Sequence, residues 1–527
     1  MEKVTQESDM KNKYDVVIIG AGHNGLIAAG YLTKAGLDVA IFEKNGWVGG
    51  MSTTYEFIPG YKFSTGAMYM GMMPPKIRED MELAKRGYEE YHADPWVWSP
   101  LPDGKYYAEF YPDHQRTADF LEKMFTKQDG DAYLKWAELW TGLTEAFMPL
   151  MMNPPVGLGD LLSMFQSPLE QAGIRKMLFD SMEDLLKECG FVSPGAMGYL
   201  SHMTNDINWT GPKGITSGFA GGMHYILPVP YTLPRGGMGS MVNIMADVVR
   251  DRGGKIFLNS KVEKIVMTDG AATGLVVDGK EISAKVVLST LAPKLTLIDL
   301  IGSENLEFET KELLKGVKSK GSSAQVFFAL NELPDYTCAP GKDPDDWQHR
   351  AAQVIGPSLE YHEDCYDDWK HGVISEKLTL VQVNESLLDP SMAPPGKFTA
   401  KVYVPTVPYN LKNGSWDDPA VKEDFANKVI NTITEYAPNF RDSIIDKHVF
   451  TPLDFERMFG NFNWTHVDVR IDQMFGYRPM PGWSQYKTPI EGLYLGGASC
   501  HGGPGVSGIP GHNVAHILIE ELEKANG

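Results

Sequence analysis

Gly20-Ala21-Gly22-His23-Asn24-Gly25 is a G-x-G-x-x-G run, and Glu43 follows about twenty residues later. The first glycine permits a tight turn, the second lets backbone approach a pyrophosphate, and the third lets a helix pack closely. The start of that helix favours negative charge. A carboxylate in the position of Glu43 accepts hydrogen bonds from ribose hydroxyls and disfavours a 2′-phosphate, so the chemistry these residues support is dinucleotide binding. Side chains able to move protons are fewer. His224 and Tyr225, in the uncharged run 214–234, form a candidate acid/base pair or fill a pocket. His202 and Asp206, four residues apart, could share a helical face as a proton relay. Cys500-His501 has the residue types of a nucleophile pair but sits in a glycine-rich loop, where packing accounts for it. Too few ligands gather anywhere to hold a metal.

The elements that must position the glycines are readable around them. Tyr14 to Ile19 is a short β-branched run ending at Gly20, and Leu26, Ala29 and Leu32 fall at helical spacing up to Gly36. Asp38 to Phe42 reads as a second buried strand, which gives strand, turn, helix, strand. Residues 76–231 read as a mostly helical insertion with Pro-rich connections, with helical patches at 118–124 and 132–143. After Arg235 the pattern is a glycine turn, a helix to Arg252 and strands at 255–258, 262–267 and 274–277. Further strands near 325–330, 378–383 and 399–404 predict a second sheet, and 513–524 a closing helix.

The chain of 527 residues is long enough for two or three domains, and 43% apolar with 22% charged residues is the composition of a folded protein. A net charge of −20 without a long Lys/Arg run excludes nucleic acid as the partner. Four scattered cysteines without C-x-x-C give neither a zinc knuckle nor a disulfide framework and fit a reducing cytoplasm. No secretory signal is read at the start, and the prolines and glycines of 214–234 argue against a membrane-spanning helix.

Just beyond Glu43 stands Gly46-Trp47-Val48-Gly49-Gly50-Met51-Ser52-Thr53. The order G-x-G-x-x-G, E, G-G-x-S/T resembles the FAD-binding signature of the amine-oxidase and phytoene-desaturase superfamily, which also contains the Rab GDP-dissociation inhibitors. Leu233-Pro234-Arg235-Gly236-Gly237-Met238-Gly239, residues 253–289 and residues 492–513 extend the resemblance in family order. The phytoene-desaturase-like branch of carotenoid and retinoid oxidoreductases is nearest. The resemblance implies an α/β fold with a Rossmann-like, discontinuous FAD-binding domain at 14–75, 235–300 and 485–527. A mixed α+β substrate domain would take 76–234 and 301–484. It implies FAD as cofactor, with Gly20, Ala21, Gly22, His23, Asn24 and Gly25 at the pyrophosphate and Glu43, with Lys44 beside it, at the adenosine ribose. Gly49, Gly50, Met51 and Ser52 would also lie by the phosphates, Met68 at the approach to the flavin, and Val262 would meet the adenine through its backbone. Gly497, Ser499, Gly505 and Val506 belong to a closing block that would run under the flavin ring. That block lacks the proline that relatives often carry directly after the histidine and the glycine triplet before the valine. Gly511-His512-Asn513 stands where Gly-Arg-Asn is common.

The activity implied is hydride removal from, or addition to, an unactivated carbon of a hydrophobic, isoprenoid-like substrate. An amine oxidase acting on an apolar amine and a non-catalytic prenyl carrier are the alternatives. A dithiol reductase would need a second strand followed by G-x-G-x-x-G, and none is found, so a quinone, oxygen or a separate electron carrier is expected to accept the electrons. Met68, Met70, Met72 and Met73, with Met148, Met151 and Met152, suit an adaptable apolar cavity as well as a core. Residues 147–152 with Trp136 and Trp140 are expected to form an exposed patch for peripheral membrane contact, and an oligomer is left open.

Overall fold

The computed structural model describes residues 10–205, 209–219, 232–460 and 467–526. Lys13–Ile19 (KYDVVII) has the unbroken apolar run of a strand covered on both faces, and it pairs in parallel with Val39–Phe42 and with Lys280–Ser289. Lys255–Phe257 extends the sheet beyond Val39–Phe42, and Leu493–Leu495 joins the last residues of Lys280–Ser289, both in parallel. Val262–Thr268 and Ala271–Val277 form an antiparallel ribbon continuing from the first half of Lys280–Ser289. His23–Lys34 packs against Met238–Asp251 and Ile509–Asn526, so helices from three distant stretches of chain meet on this sheet. Gly36, at φ +85°, turns the chain from the helix into Val39–Phe42.

A second sheet of seven strands runs in the order Ile444–Phe450, Ala324–Leu330, Phe398–Val404, Leu380–Val383, Ala352–Ile355, Val97–Pro100, Tyr106–Glu109. The last two strands fall inside the stretch read as mostly helical. Val97, Trp98, Tyr106 and Tyr107 are strong strand formers, and Pro100, Pro102 and Gly104 break any helical period between them. The longer helices of that stretch follow them, at His114–Met124 and Lys127–Met151, the latter capped by the Thr126 side chain, which accepts from the Asp129 amide.

Trp136 and Trp140 lie four residues apart on Lys127–Met151, are fully buried, and meet edge to face at 5.3 Å. The expectation of exposure is therefore corrected for the two tryptophans: one helical turn brings both indoles to the inner face. Met151 and Met152 pack against the core of the first sheet and Leu150 against that of the helices. The side chains of Phe147 and Met148 lie outside the described residues. Among the described residues no helix is long and apolar enough to cross a membrane. Trp136→Ala is expected to cost about 3–5 kcal/mol by leaving a cavity. Urea denaturation checks this, and a loss below about 1 kcal/mol would contradict the packing.

Candidate functional site

The three parallel strands Lys13–Ile19, Lys280–Ser289 and Leu493–Leu495 end side by side, and the glycine turns begin there, at the carboxyl edge where open α/β sheets bind ligands. Gly20, at φ +98°, donates its amide to the Phe42 carbonyl at 2.9 Å. Gly22 is the N-cap of His23–Lys34 and offers no side chain to the first amides of the helix. The glycines of the motif serve different ends. A Cβ at Gly25 would collide with the Gly20 carbonyl oxygen, whereas a Cβ at Gly22 would meet nothing within 4 Å. Gly25 is needed for packing, and Gly22 faces open space.

Gly49, at φ +107°, donates to the Ala21 carbonyl at 2.8 Å and bridges Gly22 in parallel, and a Cβ at Gly50 would meet the Gly22 Cα. Ser52 is buried. Glu43 is also buried and accepts from the amides of Ala21 at 3.0 Å and Asn45 at 2.9 Å, so it holds the turn from below. Burial pushes its carboxyl above the usual carboxylate range. Ser260 donates to the Glu43 carbonyl at 2.8 Å, which sets the start of Val262–Thr268 beside it, with Val262 paired to Val277. Lys44 turns the other way, its ammonium donating to the Arg457 carbonyl at 3.2 Å.

The closing block enters where a Cβ at Gly497 would strike the Thr290 carbonyl. It is fastened by Arg478, a fully buried guanidinium that donates to the carbonyls of Ala498 at 2.9 Å, Cys500 at 3.1 Å and Val467 at 3.1 Å. Burial pulls this group down to about 10. Ser499 accepts from the Val467 amide at 3.3 Å. Tyr486 donates to the His501 carbonyl at 3.0 Å, and Asn513 donates to Tyr486 at 2.9 Å and to the Met151 carbonyl at 3.1 Å. His501 Nε2 lies 3.3 Å from the Leu150 carbonyl. Gly505 lies against the Met72 sulfur, and Val506 is buried. Burial pushes the Cys500 thiol up to about 12 and the His501 imidazole down to about 4, so near neutral pH they are a thiol and a neutral ring locked in packing.

The glycines at 236–239 do not form a second nucleotide turn. The helix Met238–Asp251 is capped from within: Ser64 Oγ accepts from the Met238 amide and Thr54 Oγ1 from the Gly239 amide, each at 2.9 Å. Cβ atoms at Gly237 and Gly239 would strike Thr54. His202 is the buried C-cap of Pro194–Ser201, its Nδ1 2.5 Å from the Tyr199 carbonyl, and burial lowers it to about 4. It is fixed to backbone, and Asp206, His224 and Tyr225 lie outside the described residues. Met68, Met70 and Met73 are buried and Met51 is half-buried, which places methionines along the junction of the two cores. Sequence reasoning missed Arg478, Tyr486 and Thr290, and also Lys401, Glu385 and Gln325, which reach the Ser64–Ala67 turn. A lysine inside the apolar strand Phe398–Val404 was the one signal available.

The open face of Gly22, its uncapped helix start, and the buried His23 Nε2 and Asn24 Oδ1 without protein partners fit a phosphate-bearing cofactor. Fold and site together define an α/β protein whose glycine turns, at the carboxyl edge of a parallel sheet, leave room for a phosphate-bearing cofactor. The family described as "Flavin containing amine oxidoreductase" matches residues 25–511, and the chain belongs to it. It is a flavin-dependent oxidoreductase. The mouse "Pyridine nucleotide-disulfide oxidoreductase domain-containing protein 2" is 29% identical, with 98% of this chain and 94% of the relative covered. A component of the limonene dehydrogenase of Castellaniella defragrans is 26% identical, covering 96% and 95%. The neurosporene-forming phytoene desaturase of Rhodobacter capsulatus is also 26% identical, covering 94% and 91%. Cyclohexylamine oxidase from Brevibacterium oxydans shares the fold, with a TM-score of 0.58, 15% identity and coverage of 97% and 99%.

Burial lowers His23, His202 and His501 to about 4 and His362 to about 3, from an ordinary value of 6.5. As pH falls from 6.5, the unfolded chain takes up protons that these folded rings refuse, so stability drops toward pH 4 by up to about 3 kcal/mol per ring. His501→Gln is expected to flatten this loss relative to wild type in urea midpoints recorded from pH 7 to 4.5. Identical slopes would contradict a neutral, buried His501.

Proposed function

We propose that the protein is an FAD-dependent dehydrogenase or desaturase acting on C–H or C=C bonds of a hydrophobic, isoprenoid-like substrate. The observation that carries this reading is the methionine-rich junction at the glycine cradle, where Met51, Met68 and Met72 belong to the core of the substrate-side helices and sheet. Unbranched thioethers give an apolar, adaptable wall suited to a flexible hydrocarbon. The two relatives named for limonene and phytoene support the same class, because both names denote terpene hydrocarbons.

When bound, FAD supplies hydride acceptance. This chain's residues would hold it and exclude water: Gly22, Gly49 and Gly50 would give backbone access to the pyrophosphate, Glu43 would meet the ribose, and the methionines and buried aromatic rings would keep water from the reacting carbon. Desaturation removes one hydride and one proton per new double bond, and the two electrons must then leave. A quinone or a separate carrier is our favoured acceptor, followed by oxygen. Association is expected to be hydrophobic, at the surface of a membrane or of an apolar partner, in the cytoplasm.

The purified protein is expected to be yellow with about one FAD per chain. Gly22→Asp places a carboxylate in the open space and is expected to abolish flavin binding with the fold intact, while Gly25→Ala is expected to lower thermal stability because its Cβ meets the Gly20 carbonyl. Circular dichroism with flavin absorbance separates the two. Anaerobic bleaching against terpenes, carotenoids, retinoids and amines tests the substrate class: bleaching by isoprenoids is expected, and bleaching by amines alone would transfer the assignment to an amine oxidase. Rapid turnover of photoreduced enzyme with NAD⁺ or NADP⁺ would overturn the acceptor assignment.

A further inference from the structure

Lys401 is the charged residue of Phe398–Val404 (FTAKVYV) and is fully buried. Its ammonium crosses to the other half of the molecule and donates to the carbonyls of Ala67 at 2.9 Å and Gly66 at 3.3 Å. Gln325, from the neighbouring strand, donates to the same Gly66 carbonyl at 2.8 Å. Glu385 is buried as well, accepting from the Ser64 amide at 3.0 Å and from the Ser64 hydroxyl. Three substrate-side residues thus seize one turn of the glycine-bearing half. That turn is pinned on its other side: Gly66 and Ala67 both donate to the Met51 carbonyl, at 2.9 and 3.0 Å, one residue beyond the Gly49-Gly50 cradle.

A neutral donor would tie these carbonyls as well, as Gln325 already does, without the desolvation that burying a charge costs. The charge needs its own reason. We propose that Lys401 is a positioning residue of the redox site: it fixes the Ser64–Ala67 turn against Met51 and sets a positive charge behind that wall of the cradle, favouring the electron-rich, reduced cofactor. Burial works against the ammonium and the Glu385 carboxylate supports it, which brings Lys401 down to about 7, so its charge responds to pH near neutrality. The neighbouring elements carry few other titratable groups: Tyr61, Lys62 and Tyr69 on the turn's own segment, Tyr403 on the same strand, and His448, opposite Phe327, which itself pairs with Lys401. Ala324–Leu330 and Leu380–Val383 contain none.

This inference rests on FAD binding, and a wild type that takes up no FAD defeats that earlier reading first. The test equilibrates FAD-loaded protein anaerobically with a redox dye, at pH 6 and pH 8.5. At pH 6, Lys401→Met is expected to shift the dye equilibrium roughly tenfold toward oxidised flavin, and Lys401→Arg to match wild type. At pH 8.5 wild type should approach the methionine variant measured at the same pH while the arginine variant keeps its roughly tenfold offset from that variant, and Glu385→Gln should make the same transition at lower pH. A flavin-loaded Lys401→Met equal to wild type at pH 6 would overturn the proposal. If Lys401→Met retains no flavin, an arginine variant that follows wild type through pH 8.5 would overturn it equally.

Discussion

The parallel pairing of Lys13–Ile19 with Lys280–Ser289 is the contact on which the rest of the molecule hangs. It closes a loop that contains the helical insertion and part of the second sheet, and closing so long a loop costs entropy that local helices cannot repay. What repays it is burial: every residue from Val16 to Ile19 and from Val286 to Ser289 is nearly or wholly removed from solvent. Because the strands run in parallel, their carboxyl ends coincide, and Gly20, Thr290 and Gly496 arrive at one place. The site is a consequence of strand direction before it is a consequence of any side chain.

Around that edge, polar groups are used chiefly to hold backbone. Glu43 supports the first turn, Thr54 and Ser64 close the start of Met238–Asp251, and Arg478 gathers the carbonyls of the closing block. A buried guanidinium surrounded by carbonyl oxygens keeps its charge solvated by dipoles, which permits it to sit where no water reaches. Such a scaffold is rigid where a flavin needs placement.

Much of this was legible in the residues because it is local. The strand at 14–19, the turn at Gly20, the helix to Lys34 and Glu43 all follow from short periodicities and from glycine's conformational range. The second sheet was legible through its apolar strands at 324–330 and 398–404, but Val97–Pro100 and Tyr106–Glu109 are too short and too interrupted by proline to announce themselves. Trp136 and Trp140 misled for another reason: a four-residue repeat of aromatic rings says that they share a face, and only the packing says which way it looks. Arg478, Lys401 and Glu385 are lone charges in sequence. Lys401 and Glu385 find their partners more than three hundred residues away, and Arg478 finds its own in loop carbonyls ten to some twenty residues off, at no helical or strand spacing, so no local pattern encodes them.

The order in which these parts leave the ribosome has its own consequence. The glycine turn at 20–25 is made well before its partners, and the cradle stays open until Leu493–Leu495 and the Gly497–Val506 loop have been added. At about 5–20 residues per second, that interval is roughly half a minute to a minute and a half. For about the first half of it, until Lys280–Ser289 is made, the first strand, already synthesised and strongly apolar, has no parallel neighbour on that side and depends on transient cover against sticking to other chains. Closure of the cradle thus waits on the closing block rather than on the first glycine turn.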